Sequence, residues 1–200
     1  MKKIIALLAG ITLVGLTACG QVNSAVTIGT ETISQTELQK TLDTIASERE
    51  AVDTTGLTLD SGATLTRGQL QFIIITHIFD AIAKDLGVKI STTEIATTRA
   101  DMISQSGGEE ALAKNLVSAQ IASFNFDKYV RAIVISDKLS QAIIATGVAE
   151  ADVSAQVSSL VTKKASELNI KINPRYGTWD NSTGEIVATD SAGDAVTSTK

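Results

Sequence analysis

The sequence contains few residues whose types and spacing could support chemistry. His77 is the only histidine and Cys19 the only cysteine among the 200 residues, which excludes a His/Cys metal cluster and leaves any catalytic triad dependent on one imidazole. The motifs of phosphate-binding loops, zinc peptidases, disulfide oxidoreductases and α/β-hydrolases are absent. Because His77 lies within an apolar run, we expect it to have a structural role. The sequence therefore predicts no enzymatic activity, no cofactor and no metal.

Two pairs of acidic residues are the other candidates for acid–base chemistry or Ca²⁺ binding. They are Glu109 with Glu110, and Glu150 with Asp152. Each pair precedes an apolar segment of helical periodicity, and carboxylates in the first turn of a helix stabilise the positive end of its dipole. We interpret both pairs as helix starts.

Cys19 is the one residue for which the sequence predicts a definite reaction. Leu16-Thr17-Ala18 precedes it, and before these lie two lysines and an apolar stretch. The stretch is shorter than the roughly 20 residues of a membrane-spanning helix, as in an export signal. The motif matches the lipobox of bacterial lipoproteins. We expect cleavage between Ala18 and Cys19, and anchoring of the chain in the membrane by a diacylglyceryl group on the Cys19 thiolate.

The charge of the chain argues against nucleic acid as a partner. The formal net charge is −5, and loss of the signal removes two lysines but no acid. An acidic chain gains nothing from a phosphate backbone. A single proline and few aromatic residues favour helices over a loop-rich β fold.

The periodicity predicts a mainly α fold with a small N-terminal β-hairpin over residues 26–33. Capping boxes, in which a Ser or Thr and a Glu or Gln three residues later bond each other's backbone, predict helix starts at Ser34, Thr66 and Ser91. Three more helices are expected over residues 109–122, 126–145 and 150–168. The predicted divisions are a signal over 1–18, a lipidated tether over 19–24, one domain over 25–180, and a flexible tail over 181–200.

The irregular segment 173–180 allows two interpretations. Its Arg175, Tyr176 and Trp179 are candidates to contact a bound polypeptide, since aromatic and arginine side chains favour such contacts. Alternatively the segment docks the end of the chain onto the domain, with Ile172 adding a strand to the hairpin.

The order of these parts resembles a known family. A Val-x-Ile-Gly-x-Glu-x-Ile-Ser hairpin at 26–34 leads into a helix, and a long apolar helix ending Leu86-Gly87-Val88 follows. Then come a Ser-x-x-Glu-Ile start at 91–95 and a Gly107-Gly108 turn. This order resembles the N-terminal domain of SurA- and PrsA-type extracytoplasmic chaperones. The ending over residues 172–180 is similar to the close of small lipoproteins that carry this domain in actinobacteria.

The resemblance implies a helical domain that binds unfolded or nascent exported polypeptides through an apolar cradle. Many members add a parvulin-type isomerase domain, which this sequence lacks, so the enzymatic part of the family's function is not expected here. The alternatives are a lipoprotein subunit or scaffold of an envelope complex, and an unrecognised peptidyl-prolyl isomerase. Because Gly20 is not the aspartate that retains lipoproteins at the inner membrane, we expect the outer membrane in a Gram-negative cell. In an actinobacterium we expect the outer face of the cytoplasmic membrane.

Overall fold

The computed structural model describes residues 23–189, so Ala18, Cys19 and the predicted signal lie outside the described residues. The helices are α1 Gln35–Glu50, α2 Gly62–Asp85, α3 Thr92–Ser106, α4 Glu109–Ser118, α5 Phe126–Ala145 and α6 Glu150–Glu167. The strands are β1 Ser24–Ile28, β2 Glu31–Ser34, β3 Lys171–Ile172, β4 Thr178–Asp180 and β5 Glu185–Val187. The predicted mainly α fold with an N-terminal hairpin is confirmed.

Helix α2 is the centre of the fold. Its Leu70, Ile74 and Ile78 are completely buried, and α1, α5 and α6 pack around them. The spacing of four residues places these side chains on one stripe of the helix. Leu86 is 57 % exposed because α2 ends at Asp85, just before it. Among residues 23–189, no helix is both long and apolar enough to cross a bilayer.

The chain closes on itself through the sheet. Strand β1 lies between β2 and β3, and both neighbours run antiparallel to it. Ile172 of β3 pairs with Val26 of β1, as the second interpretation of the closing segment expected. The end of the domain is therefore held beside its beginning.

Two of the three predicted capping boxes are present. Ser34 and Glu37 bond each other's backbone at the start of α1, and Ser91 and Glu94 do the same at the start of α3. Each box involves only residues three positions apart, so the sequence alone is enough to predict it.

The third predicted box, at Thr66, is wrong. Helix α2 begins one turn earlier, at Gly62, and Gln69 donates to the carbonyl of Gln120 instead of bonding back to Thr66. The additional turn buries Leu65 against Ile45 and Ala122. Tertiary packing thus extends the helix beyond its local start signal.

Helix α4 also ends earlier than predicted, at Ser118 instead of residue 122. Gln120 takes a left-handed conformation with φ of 58°, and the amide of Ile121 donates to the carbonyl of Leu116. The reversal buries Ile121 and Ala122. Burial of these two side chains compensates for the strained backbone of Gln120.

Part of the predicted tail is ordered structure. Residues 185–187 form β5, which pairs with β4, and Trp179 of β4 lies opposite Ile186. The side-chain amide of Gln71 on α2 donates to the carbonyl of Gly184 at 2.6 Å. Residues 181–189 were predicted to be a flexible tail because of their polar composition. They instead complete a hairpin that packs on the central helix.

Candidate functional site

The candidate residues for catalysis lie in an ion pair between two elements and at helix starts. His77 Nδ1 lies 2.9 Å from a carboxylate oxygen of Glu31, which joins α2 to β2. Glu109 and Glu110 lie in the first turn of α4, and Glu150 and Asp152 in the first turn of α6, where the sequence placed them. Within residues 23–189, no three His, Cys, Asp or Glu side chains come close enough to hold a metal ion.

The segment 173–180 serves first to dock the chain. Trp179 is buried in the main core, and its indole N–H donates to Asn181. The Arg175 guanidinium lies over the Tyr176 ring, 5.3 Å from its centre, and donates to the side chain of Gln35 at 2.9 Å. Trp179 is therefore enclosed, whereas Arg175 is at the surface.

An open apolar groove lies between the end of α1 and α4. We call it the α1–α4 groove. Its volume is about 260 Å³, and it adjoins a wider depression that shares three of its residues. The groove is lined by Glu48, Ala51, Val52, Ala113, Leu116, Val117 and Ser123. Small and aliphatic side chains from α4 and from the residues just after α1 thus form a concave surface open to solvent.

A polar network fixes the two walls of this groove. The Gln120 side-chain carbonyl accepts hydrogen bonds from the Arg49 guanidinium at 2.9 Å and the Asp60 amide at 3.0 Å. Its amide group donates to the Asp60 carboxylate, also at 3.0 Å. The backbone N–H of Ser123 donates to the Glu48 carboxylate. The end of α1, the loop after it and the end of α4 are therefore held together around the apolar lining.

One exposed aromatic residue lies beside the groove. Phe124 follows the lining residue Ser123 and is 46 % exposed, with the Lys40 ammonium 5.4 Å from its ring centre. An exposed phenylalanine next to an apolar concavity provides additional area for an apolar ligand. The α1–α4 groove is the candidate binding site, and Phe124 adjoins its lining residue Ser123.

The wider depression carries both signs of charge, with acids in the majority. Asp53 and Glu110 lie on it together with Lys114, and Glu48 lies on the groove itself. Hydrogen bonds from the side chain and the backbone N–H of Thr55 lower the pKa of Asp53 below its ordinary value. The carboxylate is therefore ionised at neutral pH, and the surroundings of the groove favour basic ligands.

A second apolar depression is less suited to binding. It measures about 250 Å³ and includes Ile82, Leu86 and Leu160. Lys164 also lines it and pairs with both Asp85 and Glu167. Because Asp85 and Glu167 line the depression as well, an apolar ligand would have to displace or desolvate these ion pairs.

No family model, curated protein or solved structure matches this chain. The sequence motifs and the α1–α4 groove are therefore the indications of function. Sequence reasoning did not find the groove, because residues 48–52 and 113–123 meet only in the folded chain. The one signal in the sequence was the run of small and aliphatic residues in α4.

Proposed function

We propose that this chain is a lipid-anchored, extracytoplasmic chaperone-like lipoprotein. It binds apolar segments of unfolded or partly folded exported polypeptides and catalyses no reaction. The observation that carries the proposal is the α1–α4 groove, an apolar concavity open to solvent with an exposed phenylalanine beside it. The lipobox at Cys19 supports the anchored location, as an inference from the sequence.

The size of the groove suits transient binding. A volume of about 260 Å³ accommodates one or two apolar side chains, and complete burial of each is worth about 1.5–3 kcal/mol. Much of this gain is offset by the loss of freedom on association. The affinity for a single such segment is then millimolar or weaker, which allows release without ATP.

The acidic surroundings define the preferred client. A segment with one or two aliphatic or aromatic residues flanked by lysine or arginine would place its apolar side chains in the groove. Its cations would then lie near Glu48, Asp53 and Glu110. Attraction at such exposed positions acts mainly on the association rate and falls with salt.

The order of elements also supports the proposal. The hairpin leads directly into α1, the long apolar α2 follows, and β3 returns to β1. The hairpin, α1 and α2 are among the elements at which the sequence resembles the N-terminal domains of SurA- and PrsA-type chaperones. The resemblance supplies the class of client, and the groove supplies a surface for it.

An aggregation assay tests the proposal. The mature chain, at molar excess, is expected to slow the aggregation of a reduced and unfolded secreted protein. An unchanged rate of light scattering would reject the chaperone function. Crosslinking in cells separates this function from a subunit of an envelope complex, since a chaperone gives many adducts and a subunit one. A peptide isomerisation assay tests the remaining alternative, and clear catalysis would contradict a non-enzymatic function.

A further inference from the structure

The predicted lipid anchor lies very close in sequence to the folded domain. Cys19 precedes Asn23, the first described residue, by four positions. Four residues span at most about 14 Å when fully extended. If Cys19 is lipidated as proposed above, the surface around Asn23 must lie near the lipid headgroups.

That surface is well defined by hydrogen bonds. The carbonyl of Asn23 accepts from the backbone N–H of Gln35 at 2.8 Å. The side chain of Asn173 donates to the carbonyl of Ser24 at 2.9 Å. Arg175 in turn donates to the Gln35 side chain. The start of α1 and the turn at residues 173–176 are therefore the immediate neighbours of the anchoring point.

Arg175 is exposed there and Tyr176 is half-buried against the main core, and both have the chemistry of a membrane interface. Arg175 carries a guanidinium, which bonds phosphate through several N–H groups in a fixed plane. The neighbouring Tyr176 has an apolar ring with a polar hydroxyl, as in the aromatic belts of membrane proteins. The one acid in the first turn of α1, Glu37, is bonded to Ser34 in the capping box. A cation and an aromatic side chain thus lie together beside the anchor.

We propose that this face, formed by Asn23, Gln35, Arg175 and Tyr176, docks on the lipid headgroups next to the acylated Cys19. The inference depends on the proposed lipidation. Once the acyl chains are inserted, contact of the face with headgroups is effectively intramolecular, so weak contacts suffice to orient the domain.

This orientation has a consequence for client binding. Helix α1 begins at the docking face and ends at the α1–α4 groove, and its 16 residues span about 24 Å. Docking would fix the start of α1 at the headgroups and leave its far end free to point outward. The groove would then face the space through which exported chains pass.

Two variants that each add one cysteine on α1, and keep Cys19 for acylation, make a matched pair for the test. Thr36→Cys and Glu50→Cys place an exposed thiol near the first and at the last residue of the same helix. Each full-length chain is lipidated in a bacterial host, labelled with a fluorophore and inserted into vesicles of phosphatidylcholine and phosphatidylglycerol. A nitroxide on the lipid headgroups quenches the fluorophore at short range.

The expected result is several-fold stronger quenching at position 36 than at position 50. Arg175→Glu should reduce the difference by half or more, whereas Arg175→Lys should retain it. Lys114→Glu, a charge reversal beside the groove, should also retain it. Equal quenching at both positions, or a difference that Arg175→Glu does not change, would overturn the docking face.

The same samples distinguish failure of the docking face from failure of the lipid anchor. Mass spectrometry and vesicle flotation report whether Cys19 is acylated before quenching is measured. A chain that is acylated and floats, yet shows equal quenching, would contradict only the docking face. A chain without acyl groups would contradict the anchor and, with it, the docking face.

Discussion

A Cβ atom on Gly177 would lie 2.5 Å from the carbonyl oxygen of Val187, so β5 closes directly over this glycine. Its φ of +133° is likewise accessible to glycine and strained for other residues. Gly177 thus lets the closing hairpin approach the turn that carries Arg175 and Tyr176.

Gly177→Ala should therefore destabilise the protein. Backbone strain and the clash with β5 together are expected to lower the free energy of unfolding by at least about 2 kcal/mol. Gly68→Ala is the matched control, because Gly68 lies inside α2 with open space around it. This control should stabilise the protein by about 0.5–1 kcal/mol. Urea unfolding measures both, and equal effects would contradict the close packing of β5.

Gln120 should be essential to the walls of the groove. Gln120→Ala removes its bonds to Arg49 and Asp60 and keeps a Cβ at a positive φ. The expected loss of stability is about 1–3 kcal/mol. Gln120→Gly removes the same bonds but relieves the strain, so it should cost about 1 kcal/mol less. Thermal unfolding compares the variants, and a less stable glycine variant would contradict this account of the turn.

The capping box of α3 should make stability depend on pH. Hydrogen bonding to Lys138, followed by the backbone and hydroxyl bonds from Ser91, lowers the pKa of Glu94 from 4.5 to about 2. Because the folded-state pKa is the lower one, this stabilisation is present above about pH 4.5. It is lost as the pH falls toward 2.

Glu94→Gln can retain the capping contact but cannot titrate. The stability of this variant should therefore change less between about pH 5 and pH 2 than that of the unaltered chain. Lys138→Met should weaken the same dependence, since Lys138 is its largest cause. Thermal melts across this range provide the measurement. A Glu94→Gln profile parallel to that of the unaltered chain would contradict the assignment.

Cys19→Ser tests the anchor. Without the thiol there is no acceptor for the diacylglyceryl group, so the variant should accumulate as an uncleaved and unlipidated precursor. Mass spectrometry of the membrane fraction distinguishes precursor from mature chain. Normal processing of the serine variant would contradict the lipobox assignment.

Much of the fold could be predicted from the sequence, because its signals are local. The boxes at Ser34 and Ser91 depend on residues three positions apart, and the stripe of Leu70, Ile74 and Ile78 on helical spacing. The start of α2 was mispredicted because burial of Leu65 adds a turn that no local signal marks.

The candidate site could not be predicted, since it depends on contacts between distant parts of the chain. Nothing in the local sequence distinguishes Ala51 or Ala113 from other alanines. They line the groove only because the end of α1 and α4 pack together in the folded chain. Likewise, the role of Gln120 follows from its bonds to Arg49 and Asp60, at positions 71 and 60 residues away. The end of α4 was missed because it depends on the burial of Ile121 and Ala122. Strand β5 was missed because residues 181–189 are mostly polar.

The central claim, that the α1–α4 groove binds unfolded clients, is tested most directly by Ala113→Glu in the aggregation assay. Ala113 is exposed and lines the groove, so a glutamate there places charge and bulk on the apolar lining. Ala100→Glu is the matched control, an exposed alanine inside α3. We predict that Ala113→Glu reduces the suppression of aggregation several-fold while Ala100→Glu leaves it unchanged. Equal suppression by both folded variants would contradict the role of the groove.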